Sequence, residues 1–373
     1  MLRFEQLSFW EHQQYLNNNT FVVVGAGLVG LSTALSLKSR FPNEKILILE
    51  RGYLPSGAST KNAGFTCFGS PTELKDDLQH IPEEQVWETI ALRLKGLELL
   101  KNRVGESQMN YKSCGSWDLI GPSDTELGTD FLQHINLEMK RRFDLDEVYK
   151  IDAHFQQKFG FQGYHTAYFN AYEGSIDTGL LMATLHKQCV LADIQFLFAT
   201  EVQNWSASEQ NVVIETQQGQ IQTQHLFLCT NGFAQQYFAD ELRPARAQVL
   251  LTKPLKHSIS GTFHADRGYY YFRDIGPRIL LGGGRHLDFE TETTTLFEHN
   301  QHIRKALIDK LTHEILPGQR FEIEREWSGI MCVGDQKKPI IRSLNKNVHA
   351  GVRMGGMGIA IGSAVGDALS KLV

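Results

Sequence analysis

The chain has 373 residues, 42% of them hydrophobic, and a formal net charge of −5, with no run of Lys and Arg able to track phosphates. Two domains with buried cores are therefore expected, and nucleic acid is not expected as a partner. Five scattered cysteines without a CxxC pair imply neither a disulfide framework nor a zinc site, and the absence of a signal-peptide core or of ~18 consecutive apolar residues implies a cytoplasmic protein without an integral membrane span.

Thr20 to Val24 is a short β-branched and apolar run ending in Gly25-Ala26-Gly27, and Leu28 to Arg40 then carries apolar residues at helical spacing. A second apolar run, Lys45 to Glu50, completes a βαβ unit. Glu83 to Val104 reads as a long amphipathic helix with Pro82 near its start. Short strands are expected at Phe196 to Val202, Val212 to Thr216 and Leu226 to Cys229. A further set at Gln248 to Thr252, Tyr269 to Arg273 and Arg278 to Gly282 has the look of an antiparallel sheet. His349 to Val373 repeats strand, glycine-rich turn and helix.

Gly25-x-Gly27-x-x-Gly30 falls directly between a predicted strand and a predicted helix, the context that makes a common glycine pattern informative. The glycines permit a tight turn and close backbone approach to a pyrophosphate, and the helix start at Leu28 offers N–H groups and positive potential. Glu50, twenty residues beyond Gly30, is placed to accept hydrogen bonds from an unphosphorylated adenosine ribose, which disfavours NADP. The βαβ unit alone leaves FAD and NAD open. Three features favour FAD: the small, polar segment Gly57-Ala58-Ser59-Thr60-Lys61-Asn62-Ala63-Gly64 after Arg51-Gly52, the turn Thr230-Asn231-Gly232, and Met354-Gly355-Gly356-Met357-Gly358 before the last helix. N–H groups at that last turn suit an electron-rich ring carbonyl.

These segments, with Pro244-Ala245-Arg246-Ala247-Gln248 and Trp327-Ser328-Gly329, follow one another in an order and spacing that resembles the D-amino-acid-oxidase-like FAD oxidoreductases, particularly the branch containing glycine oxidase and monomeric sarcosine oxidase. The resemblance runs nearly end to end. It implies an α/β fold (α+β overall): a Rossmann-like FAD-binding domain built from residues 1–75, 150–240 and 325–373, and an inserted substrate domain, 76–149 and 241–324, whose large antiparallel sheet roofs the flavin. The implied chemistry is oxidation of the CH–NH bond of a small amine or amino acid to an imine that hydrolyses, with electrons passing to oxygen or another acceptor. FAD, held noncovalently, performs the difficult step. The cofactor contacts expected on this basis are Gly25, Gly27, Leu28, Gly30, Glu50, Arg51, Ala58, Ser59, Thr60, Asn62, Ala63, Gly64, Val202, Thr230, Gly232, Gly329, Gly355, Gly356, Met357 and Gly358.

Tyr269 falls where glycine-oxidase-like members place an active-site tyrosine, and on a strand Tyr269 and Tyr271 share one face while Tyr270 takes the other. The usual cationic anchors depart from the pattern. Met331 stands where the family arginine would hold a substrate carboxylate, Cys67 where the sarcosine-oxidase branch has an arginine, and Ala360 where it has a lysine. Either the substrate lacks a carboxylate near its amine or another cation serves, and Arg353, just before the glycine-rich turn, is the first candidate, against a domain-interface salt bridge of comparable weight. Arg273, on the Tyr269 strand, and Arg285, after Gly282-Gly283-Gly284, are weaker candidates for that cation, expected rather to face solvent; His165 and His264 are assigned no role, and Cys332 is expected to be buried as a small apolar residue. Oxidation of a small hydroxy acid or polyol (CH–OH) by the same cofactor is the close alternative; a flavin-binding subunit without turnover and an NAD-dependent dehydrogenase are the more distant ones.

Overall fold

In the computed structural model, which describes residues 3–238, 241–257 and 259–373, the strands form two sheets. In chain order they begin with β1 (Asn19–Val24), β2 (Ile46–Leu49), β3 (Ser116–Ile120), β4 (Tyr149–Ile151), β5 (Thr166–Asn170), β6 (Gln195–Leu197), β7 (Val202–Ala207) and β8 (Val212–Thr216). They continue with β9 (Gln220–Leu228), β10 (Arg243–Thr252), β11 (Thr262–Ala265), β12 (Tyr270–Ile275), β13 (Arg278–Gly283), β14 (Ile323–Val333), β15 (Ile340–Ser343) and β16 (Val348–Val352). The first sheet has the order β15-β16-β9-β1-β2-β6, with β7 and β8 attached through β9. The second has the order β14-β10-β13-β12-β11-β3-β5-β4.

β1 is parallel to β2 on one side and to β9 on the other, and its two faces are covered by different clusters, Phe21 and Val23 in one and Val22 and Val24 in the other, so all four are buried. A central parallel strand needs such an unbroken apolar run. The crossover from β1 to β2 is the helix Leu28–Arg40. It packs against the C-terminal helix Gly358–Ser370, which packs in turn on the long helix Glu83–Val104. Small residues make those crossings close: a Cβ on Gly366 would lie 2.6 Å from Ser32 Cβ, and one on Gly96 would lie 2.0 Å from the Ala360 carbonyl oxygen.

The second sheet is mostly antiparallel and has one apolar face, where Trp117, Phe161, Phe263, Tyr270 and Phe272 pack with Ile303 and Leu307 of the helix Gln301–Lys310. Tyr271, between Tyr270 and Phe272, points to the opposite face, as the two-residue strand period requires. One row of register partners crosses that face: Trp327, Val249, Gly282, Tyr271, His264, Asp118 and Tyr168. Gly282 leaves room for its neighbour's ring, since a Cβ there would sit 2.4 Å from Tyr271.

The expected elements reappear with three differences. The run Phe196 to Val202 is not one strand: β6 ends at Leu197, and the chain turns away through Ala199 at φ 52°, held by Ala199 N–H to Gly52 O and Thr200 N–H to Glu50 O. The expected domain boundaries at 150 and 325 do not coincide with the sheets. β5 pairs with β3, and β14 pairs with β10 along ten residue positions, so both belong to the second sheet. Short strands β3, β4 and β5 were not anticipated, because their partners are distant in sequence. Among the described residues, no helix is long and apolar enough to cross a membrane.

Candidate active site

The site grows from the C-terminal end of β1. Gly25 takes φ 105°, where a Cβ would lie 2.9 Å from the Cys229 carbonyl oxygen, and a Cβ on Gly30 would lie 1.9 Å from the Gly25 carbonyl oxygen. The turn is therefore pressed against both β9 and its own helix, leaving Gly27, Leu28 and Val29 along the wall of a cavity of about 1240 Å³. Gly30, also expected as a cofactor contact, does not line the cavity; it lies beneath the turn and packs it. Glu50 ends the second strand and is buried; its Oε2 accepts the Ala26 N–H at 3.0 Å and its Oε1 the Gly52 N–H at 3.0 Å. The carboxylate thus ties two corners of the cavity together while lining it, and lone pairs remain on both oxygens.

The segment after Gly57 forms a single helical turn, Ala58–Lys61. Ser59 Oγ accepts the Leu28 N–H at 2.9 Å, joining this segment to the helix start. Asn62 Oδ1 accepts the Gly64 N–H and the Thr178 hydroxyl, so its side chain shapes the loop from inside. Thr60 departs from expectation: it is exposed, bonds the Pro55 and Gly57 carbonyls, and does not line the cavity. The other expected cofactor contacts, Gly25, Gly27, Leu28, Glu50, Arg51, Ala58, Ser59, Asn62, Ala63, Gly64, Val202, Thr230, Gly232, Gly329 and Gly355 to Gly358, all line it. A long cavity walled by glycine backbone, a helix start and one carboxylate fits a dinucleotide in size and chemistry.

The roof is the open face of the second sheet. Tyr269, Tyr271 and Met331 line the cavity, with Gly232 close under Met331. Arg353 does not. Its guanidinium donates from Nε and Nη2 to the Lys338 carbonyl and from Nη1 to the Glu241 carbonyl, with φ 66° turning it away from the cavity. The sequence position beside the glycine turn is close to the site, but the left-handed backbone directs the side chain outward to two loop carbonyls.

Two arginines expected in solvent are placed otherwise. Arg273 is buried and donates to the Gly64 carbonyl at 3.0 Å. Arg285 lines the cavity near Tyr269, its guanidinium 4.6 Å from the Phe289 ring. Burial lowers its pKa from the ordinary value, and its guanidinium makes no hydrogen bond or ion pair among the described residues. Arg51 covers the Phe233 ring at 3.8 Å, and Lys337 is held by Glu73 at 3.0 Å and Asp77 at 2.6 Å. Buried Arg93 joins the same cluster through Glu73 at 3.1 Å. Burial pushes the Glu73 carboxyl up, but Arg93 and Lys337 outweigh it and hold the group far below the usual carboxylate range. Lys337 is therefore already committed, whereas Arg285 is not.

His264, given no role from sequence, also lines the cavity. Its signal was the strand pattern: Phe263 and Ala265 turn into the aromatic core, which sends His264 to the other face. Cys67 lines the cavity with Sγ 3.8 Å from Met357 Sδ, and burial pushes its thiol well above the ordinary value. Cys332 is fully buried in an apolar cluster and does not line the cavity. Among the described residues, no group of three or more His, Cys, Asp and Glu could hold a metal ion.

Solved structures reproduce this architecture across almost the whole chain. L-proline dehydrogenase from P. horikoshii aligns with a TM-score of 0.75 at 17% identity, covering 95% of this chain and 93% of that one. Glycine oxidase from Geobacillus kaustophilus gives 0.73 at 17% identity, covering 94% and 93%. L-amino acid deaminase from Proteus vulgaris gives 0.73 at 15% identity, covering 96% and 94%. Comparison with curated protein sequences gives no match. The model of the FAD dependent oxidoreductase family, DAO, matches residues 20–372, so the glycine cradle, the acidic strand end and the sheet above them belong to an enzyme of that FAD-dependent oxidoreductase family.

Proposed function

We propose that this enzyme oxidises the CH–NH bond of a small amino acid to an imine, which water then hydrolyses. The observation that carries this reading is Arg285, an uncommitted and partly buried guanidinium beside Tyr269 in the cavity roof. A cation held there without a counter-ion needs an anionic partner, and a substrate carboxylate supplies one through paired N–H donors. Arg285 thereby takes the task that Met331 cannot perform and that was first assigned to Arg353. The names of the solved neighbours, proline dehydrogenase, glycine oxidase and amino acid deaminase, support an amino-acid substrate.

Bound FAD supplies the acceptor for the hydride equivalent leaving the carbon next to nitrogen. The chain's part is binding and orientation. Gly25, Gly27 and Leu28 would hold the pyrophosphate, Glu50 would accept from the ribose, and Arg51 and Val202 would flank the adenosine end. Gly329 and the turn Gly355 to Gly358 would face the flavin end, with the N-terminus of the helix Gly358–Ser370 behind them. FAD would be held noncovalently: Cys332 lies outside the cavity, and burial pushes up the thiols that line it, Cys67 and Cys229. Tyr269 and Tyr271 close the roof against water. Oxygen or another acceptor then takes the electrons.

Anaerobic mixing with glycine, L-proline, other amino acids and 2-hydroxy acids tests the reading, with bleaching of the flavin band near ~450 nm as signal and ammonia or amine release as the second readout. Bleaching by amino acids with release of ammonia or amine is expected. Arg285→Met should weaken the apparent affinity for the reducing amino acid by roughly 10- to 100-fold while leaving FAD bound. Bleaching by hydroxy acids alone would replace this reading with CH–OH oxidation.

A further inference from the structure

His264 lies on β11 of the roof sheet, in register with Tyr271 on β12 and Asp118 on β3. The Phe65 ring meets it edge-on at 5.1 Å and meets Tyr271 at 6.0 Å, so Phe65, His264 and Tyr271 form three aromatic walls within the cavity. Neither imidazole nitrogen has a hydrogen-bond partner among the described residues; Nε2 is sealed off from the cavity, which leaves Nδ1 as the nitrogen a ligand can reach. An acceptor left unpaired at such a wall costs about 1–3 kcal/mol, and Nδ1 recovers that cost when the ligand provides the partner. Burial also lowers the histidine pKa to about 4, so the ring is neutral near pH 7. It is then no second cation for a carboxylate, and a base that weak does not remove the proton of an ammonium group whose pKa is near ~10. What remains to it is to accept an N–H.

We propose that His264 is a catalytic residue that accepts a hydrogen bond from the substrate's amine N–H and so fixes the position of the reacting nitrogen, with Phe65 and Tyr271 flanking the adjoining carbon. This rests on the amino-acid reading above, with Arg285 as the carboxylate end. Tyr269, in the turn that leads into β12, and Tyr271, on it, are two residues apart, at most roughly 7 Å; Arg285 stands beside the first and His264 pairs with the second, one at each end. The nitrogen and the carboxylate of one small substrate are thereby oriented together, a geometry that Arg285 alone leaves free to rotate.

The test uses the FAD-loaded enzyme and a pair of planar carboxylates that differ in one group, pyrrole-2-carboxylate with an N–H and furan-2-carboxylate with an oxygen in its place. Binding is read by calorimetry and by perturbation of the flavin spectrum, with no turnover required. The native enzyme should prefer pyrrole-2-carboxylate by about 10-fold, the measure of one hydrogen bond to a buried acceptor. His264→Phe should abolish the preference, and His264→Asn, which keeps an acceptor and serves where the Phe variant folds poorly, should retain part of it. Equal binding of both probes by the native enzyme, or an undiminished preference in both variants, overturns the inference alone. Binding of neither probe overturns it together with the Arg285 anchor. A flavin spectrum altered in both variants before any probe is added would assign the imidazole to the cofactor and likewise overturn it.

Discussion

Arg353 shows how a residue's neighbourhood in sequence and its direction in space separate. It stands next to the glycine turn at the flavin end of the cavity, yet its backbone is left-handed and its N–H donates to Asn231 Oδ1, which turns the side chain toward the Lys338 and Glu241 carbonyls. A sequence specifies the position and not the φ angle of a non-glycine residue, so only the coordinates distinguish a substrate cation from a loop clamp. Arg353→Met removes every donor to those two carbonyls, and a loss of about 2–3 kcal/mol in unfolding free energy is expected. Apparent affinity for the reducing amino acid should stay within about twofold, in contrast to Arg285→Met. Urea unfolding and anaerobic reduction titrations on both variants measure the two quantities, and a large affinity loss with unchanged stability would reverse the assignment. Glu50 illustrates the opposite case, legible from spacing alone, and with a second task that spacing did not reveal: it braces Ala26 and Gly52. Glu50→Ala should therefore cost both flavin retention on gel filtration and stability, whereas Glu50→Gln, which keeps one acceptor, should recover part of each.

At the scale of elements, the helices Leu28–Arg40 and Glu83–Val104 were legible to their ends, since apolar spacing, a glycine turn and a proline start are local signals. The strands of the roof were legible only where alternation was strong. Ser116–Ile120 is buried at every position and shows no alternation, and its pairing with Thr166–Asn170 and Thr262–Ala265 is nonlocal. The small residues at the helix crossings carry a consequence for the site. The C-terminal helix begins at Gly358, and its first residues line the cavity while Ala360 touches Gly96 of the long helix. Gly96→Ala places a Cβ against backbone that has no rotamer to yield, so the C-terminal helix must shift at its cavity end. The variant is expected to lose bound FAD at denaturant concentrations where the native enzyme keeps it. Gly128→Ala, with nothing within 4 Å of the added Cβ, serves as the neutral comparison. Equal flavin retention in the two variants would mean that the crossing absorbs the methyl elsewhere.

For the whole molecule, the junction between the sheets is where charge and stability meet. Glu173 is buried and accepts the Phe68 and Gly69 N–H groups at 2.8 and 3.2 Å, bringing a carboxyl beside the segment that leads from the cavity to Glu73. Burial raises its pKa from the ordinary 4.5 to about 7, outweighing those two bonds, and raises Asp118 from 3.8 to about 6 despite its bonds from Thr72. For both groups the folded state holds a proton that the unfolded chain has released, so their stabilising contribution is complete below the unfolded pKa and is lost as pH rises through about 6 to 7. Glu73 works in the other direction. Held far below its ordinary range by Arg93 and Lys337, it contributes stability above about pH 4.5 that is lost on acidification. The two trends cross near pH 4 to 5, and from these groups maximum stability is expected there, on the acidic side, rather than at neutrality. Glu173→Gln keeps a carbonyl to accept the two N–H groups and cannot ionise, so it should raise Tm by a few degrees at about pH 8 and change it little at about pH 4. Thermal unfolding of native and variant enzyme across this range decides the matter: curves that converge on acidification locate the buried proton at Glu173, and parallel curves would show that the junction carries no titrating carboxyl there.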